Sequence, residues 1–179
     1  MTGRGMADLA QRMVRCLLGI ACIASICLPA RGEEPSSLRI PIAVADFDYI
    51  DTSAEPTNQE AAHAERLRAF TERLRLDLAQ ENYRIVELPC AQRPCTVRRS
   101  TAERLIESAR AAGARLLLLG GIHKVSTLIQ NGKVRVVDVE MNQVVFDRSI
   151  SFRGDTDESW ERAERFLVRG LAAANLQVP

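Results

Sequence analysis

Histidine, free cysteine, surplus charge and long apolar runs are all scarce in this sequence, and each shortage narrows what the chain can do. Two histidines stand among 179 residues. With so few, no Ser-His-Asp spacing can be read, and no nucleophile is visible beside a base. Lys and Arg number 24 against 23 Asp and Glu. That balance supplies no field for nucleic acid or anionic lipid, so neither is an expected partner. The one apolar segment near the start, Cys16–Ala30, is uncharged over fifteen residues. A spanning helix needs about 20. No repeat, low-complexity tract or cofactor motif is present, so no cofactor and no catalytic residue is assigned.

What is present begins with a leader. Arg4, Arg12 and Arg15 precede the apolar segment, which ends on the small residue Ala30 and is followed by Arg31 and Gly32. A basic start, a short apolar stretch and small residues at a cut are the pattern of a secretory signal. The sequence therefore predicts a signal peptide over 1–32 and a single domain over 33–179, exported to the periplasm, with no membrane span after cleavage. Met6 and Met13 are alternative starts. An uncleaved anchor, or a lipid on Cys22, is the competing reading; Gly19-Ile20-Ala21 before Cys22 supplies the small residue at −1 but not the Leu at −3. The leader holds four Arg and one Asp, which leaves 20 basic and 22 acidic residues beyond it.

Three of the five cysteines lie in the leader, leaving Cys90 and Cys95 in "LPCAQRPC". In an oxidising compartment so close a pair forms a disulfide. A redox pair or a metal site is the alternative, but the spacing has four intervening residues rather than two, and no helix start follows to lower a thiol pKa.

Beyond a polar joint, "LRIPIAVADFD" (38–48) reads as a strand, with Ile40, Ile42 and Val44 on one face and Ala43, Ala45 and Phe47 on the other. A loop over 49–59 follows. Leu67, Phe70, Leu74 and Leu78 then recur at helical spacing, predicting a helix over about 60–80. "YRIVEL" (83–88) is a second strand. Ser100 or Thr101 caps a second helix that ends at Gly113, with Ala102, Leu105, Ile106 and Ala109 inward. A long strand spans 115–129, and Asn131-Gly132 signals a two-residue hairpin. Strands over 133–140 and 143–152 follow, joined at Met141-Asn142. The last helix runs from Asp155 or Thr156 to about Ala174, with Trp160, Ala163, Phe166, Leu167 and Leu171 inward. Asp155 and Glu158 have the spacing of an acidic capping box. The order β-α-β-α-β-β-β-α implies an α/β domain: one mixed sheet with an antiparallel meander at its end and helices packed on it.

Four clusters qualify as candidate sites. Gly120-Gly121 is followed by strand-forming residues rather than a helix, so it marks a bent strand or close approach and not a phosphate cradle. His63 falls on the apolar stripe of the first helix, and His123 shares strand parity with Leu117 and Leu119. They are read as core-margin histidines; the sharper alternative brings them together with Asp46 or Asp48 as a ligand or metal site. "DFDYID" (46–51) sits at a strand's carboxyl end, where α/β sheets place crevices. Its aspartates are expected to cap turns and receive arginines. Arg93, Arg98 and Arg99 beside the cysteines form a solvated face or a docking patch for an acidic partner.

"VADFDYIDTS", "LLLLGGIHKVSTLIQ" and "VVFDRSISFRGDTDESW" resemble a bacterial family of small secreted proteins of unknown function. More distantly, "GARLLLLGGI…VRVVDVEMNQVVFD" is similar to an α/β module found in the amino-terminal domain of TolB, in the curli secretion lipoprotein and in lipoprotein activators of penicillin-binding proteins. That resemblance implies a domain that docks another envelope protein and transfers no catalytic residue.

Overall fold

The computed structural model describes residues 39–176. The leader, its cleavage site and Cys22 lie outside the described residues. Six strands and three helices alternate as β1 (Ile40–Val44), β2 (Asp48–Asp51), α1 (Glu60–Gln80), β3 (Tyr83–Val86), α2 (Ala102–Ala111), β4 (Leu116–Lys124), β5 (Ile129–Asp138), β6 (Gln143–Arg153) and α3 (Asp157–Ala174). The sheet order is β3-β1-β4-β5-β6, with β2 also paired to β4. Strands β1, β2 and β3 run parallel to their neighbours, whereas β5 and β6 return antiparallel. The mixed α/β sheet with its terminal meander is the architecture that the element order implied.

Two hydrophobic layers hold it. Ile42, Val44, Leu116, Leu118, Val134 and Val136 face α1 and α3, meeting Phe70, Leu74, Leu78, Leu167 and Leu171. Ala43, Ala45, Leu117, Leu119 and Val137 face α2, meeting Leu105 and Ala109. Each fully buried Leu contributes roughly 1.5–3 kcal/mol. The four-leucine run lies between both layers, which is why β4 is apolar on both sides over this stretch. Helix α2 covers only part of its face. From Gly121 onward the second layer stops, and the sheet is open.

The expected first strand is two strands. Val44 pairs with Leu118 and Asp48 with Gly121, so four steps on one side oppose three on the other. The extra residue reverses which face each later side chain takes. Phe47 therefore leaves the Ala43/Ala45 face and packs edge-on against Phe70, ring centroids 5.1 Å apart. A Cβ on Gly120 would lie 2.5 Å from the Phe47 ring, so this ring fills the space that the glycine leaves. The close approach expected at Gly120 is present.

The expected hairpin is displaced. Asn131 and Gly132 lie inside β5, opposite His123 and Ile122, and the turn spans 125–128. A turn at Asn131-Gly132 would pair the leucine run with residues beyond 140 and strip it of Val134 and Val136. Burial of that pairing outweighs the local turn preference. Ser126 Oγ accepts from the Leu128 and Ile129 amides and closes the turn that forms instead.

Two expectations for α3 also change. Phe166 is 50% exposed, while Glu164 is fully buried. The N-cap is Thr156, in a reciprocal box with Ser159 rather than with Glu158. Asp155 is turned inward, for the reason described next.

Candidate functional site

Lys124 ends β4 on the face of Leu116, Leu118 and Ile122, and none of it is exposed. A buried ammonium must be paired to persist. Its Nζ donates to Glu55 Oε2 at 2.5 Å, to Gln59 Oε1 at 3.0 Å and to Asp155 Oδ2 at 2.7 Å. Asp155 also accepts from Arg66 (3.2 Å), Gln130 (3.0 Å) and Trp160 (3.3 Å), and His63 Nε2 lies 2.6 Å from its Oδ2. Burial opposes the Lys124 charge, yet the hydrogen bonds to Asp155 and Glu55 prevail and raise its pKa. Burial likewise opposes the Asp155 charge, and Lys124 and His63 overcome it, holding the carboxyl below the usual carboxylate range. Tyr49 stacks on His63 with centroids 4.8 Å apart, and burial followed by the Asp155 charge raises its phenol pKa. This cluster clamps the 52–59 loop and the β6–α3 joint onto the strand end. His63 has an aspartate on each side, with Asp51 3.8 Å from Nδ1. The imidazole thus bridges the aspartates of β2 and of the β6–α3 joint and ties these two segments to α1.

His123 is the next residue of the same strand and so projects from the opposite face. It is half-buried, with Nε2 2.7 Å from Thr52 Oγ1. The two histidines are thus on opposite sides of the sheet and are not brought together. Among the described residues no cluster of three His, Cys, Asp or Glu has metal-holding geometry. Asp46 accepts from the Cys95 amide and from Arg75, each at 2.8 Å, with Arg93 at 3.7 Å. Asp48 accepts from the Arg98 amide at 3.2 Å. Cys90 and Cys95 are disulfide-bonded, and Asp46 pins this loop to the β1–β2 junction.

Sequence reasoning missed Lys124 and Asp155 as partners. Strand parity was the available signal, since Lys124 follows Leu116, Leu118 and Ile122 at even spacing on a core face.

A shallow groove of about 620 Å³ lies on the uncovered half of the α2 face. Asp48, Ile50, His123, Asn131, Lys133 and Ser149 line it. Ile50 is 44% exposed at its floor. Beside it stand Arg98, whose Nη1 donates to the Tyr49 carbonyl at 3.3 Å, and Lys133 and Arg135, which share Asp147, whereas Arg99 lines a separate opening with Arg104 and Glu107 by the disulfide loop. Arg98 and Arg99 have no carboxylate partner among the described residues. Arg98, Lys133 and Arg135 thus stand here against the carboxylates of Asp48 and Asp147.

No helix among the described residues is long and apolar enough to cross a membrane. No curated protein matches the sequence. The PelC dodecamer from Paraburkholderia phytofirmans is similar in structure, with a TM-score of 0.52 at 13% identity, over 78% of this chain and 90% of that one. TolB from Acinetobacter baumannii matches at 12% identity over 79% of this chain and 29% of its own, TM-score 0.46. The LpoB C-terminal domain from Salmonella enterica matches at 15% identity over 63% and 81%, TM-score 0.43. The likeness to PelC is one of fold. Residues 41–171 match the model of a family described as a protein of unknown function (DUF2380), and the chain belongs to that family.

Proposed function

We propose that this member of the family is an exported, non-catalytic accessory domain that docks an acidic segment of another envelope protein on its open sheet face. The observation that carries the reading is the half-uncovered face around the Ile50–His123 groove, with the exposed Arg98 guanidinium at its margin. A sheet face left bare on one side of a well-covered domain, with an unpaired guanidinium at its margin, is complementary to a chain of opposite sign. The leader pattern, the disulfide and the resemblance to envelope docking modules support the same location. A signal peptide over 1–32, removed after Ala30 or Gly32, completes the proposal.

Capture from periplasm tests it. The exported protein should retain one defined protein, and Arg98→Glu with Arg99→Glu should lower that capture about tenfold, as should raising salt. Glu65→Gln on the helical face should leave it unchanged. Capture insensitive to the arginines and to salt would contradict the reading.

A further inference from the structure

We propose that β6 is a dimerisation edge on which two copies of this chain pair antiparallel, centred on Ile150. At eleven residues β6 is the longest strand, and among the described residues it is hydrogen-bonded to β5 alone. Natural edge strands are blunted by lysine, proline, bulges or short length. Strand β6 has no lysine or proline, and its register irregularity is confined to its beginning, opposite Val136 and Val137. Beyond that irregularity the edge runs regularly from Asp147 to Arg153, and its charged residues, Asp147, Arg148 and Arg153, are what a partner strand must accommodate.

Its charges select the occupant and the register. In a two-fold antiparallel pair, residues of the same parity face each other. A centre at Asp147 sets that aspartate against itself, and a centre at Arg148 does the same for arginine. A centre at Ile150 sets Asp147, whose carboxylate Lys133 and Arg135 hold from the β5 side, against Arg153, Arg148 against Phe152 and Ser149 against Ser151, joining opposite charges twice by symmetry. Arg153 is exposed and has no carboxylate partner of its own among the described residues. On the helical side Phe166 is half-exposed, with the Arg148 guanidinium 5.9 Å from its ring centroid. A second α3 across the axis would cover that exposed ring. The pairing would also make the two open faces continuous.

The mass of the exported protein in solution tests this. Light scattering should report a dimer, and Arg153→Asp, which sets two aspartates opposite each other, should raise the dimer dissociation constant about tenfold. The register is read with single cysteines. A mixture of Ser149→Cys and Ser151→Cys proteins should oxidise to a disulfide-linked dimer that neither forms alone. A protein monomeric at every concentration overturns the proposal. So does a dimer indifferent to Arg153→Asp, or one in which Ser149→Cys crosslinks to itself.

Discussion

Lys124 is fully buried and removing its charge takes one partner from each of three largely buried acceptors, Glu55, Gln59 and Asp155. Truncating one partner of a buried ion pair costs about 3–5 kcal/mol. Lys124→Met should lower unfolding free energy in urea by that order, and a change below about 1 kcal/mol would mean the cluster is hydrated and dispensable. Gly120 presents the opposite problem, of too little room. Gly120→Ala would press a methyl into the Phe47 ring, which is itself buried, and overpacking of this kind costs about 1–3 kcal/mol. The pair Gly120→Ala with Phe47→Leu should recover part of that loss in the same titration. The glycine's role was legible in the sequence, since a glycine within an apolar strand signals close approach. The role of Lys124 was not, because a lysine invites a solvent reading until its strand parity is matched to helix coverage on that side. The histidines misled for a related reason: both fall on stripes that reach the sheet, and a sheet has two sides.

Between elements, the seam of α1 and α3 carries a buried carboxylate. Both oxygens of Glu164 lack a hydrogen-bond partner among the described residues. Burial first, and then the negative charge of Asp77 on α1, push its pKa up to about 7. Below the ordinary carboxylate range Glu164 is neutral in both folded and unfolded chains, and its contribution is fully present. As pH rises toward 7 the unfolded chain releases a proton that the folded chain keeps, so stability falls across this window and stays low above it. Glu164→Gln removes that fall. The variant should melt a few degrees above the parent at pH 8 and level with it at pH 5, as read by calorimetry. An equal shift at both values would show that Glu164 does not titrate between them.

Helix boundaries and the inward stripes of α1 and α2 were legible from spacing alone. Phe166 and Glu164 were not, because α3 rotates to lay Val168 and Gly170 against the sheet, and Arg148 crosses Gly170 where a side chain would otherwise stand. The jog between β1 and β2 and the relocated hairpin escaped for one shared cause. Both are set by register against β4, a long-range pairing that local turn preference does not encode. The same register decides which aspartate is free. Asp46 and Asp48 are engaged with the backbone of the disulfide loop, and this engagement leaves the Arg98 guanidinium exposed beside the groove.

At the scale of the molecule, three helices cover one sheet unequally, and the account rests on the half-face they leave bare. The disulfide loop borders that surface, while the Lys124 clamp and the Gly120–Phe47 contact secure the strands from the opposite face. A photo-reactive side chain in place of Asn131, on the groove, tests the claim most directly in living cells, with the same probe at Glu65 on the helical face as reference. The account predicts a single adduct to one envelope protein from position 131, lost when Arg98 and Arg99 become glutamate, and none from position 65. Silence from the groove, or the same adducts from both faces, would contradict it.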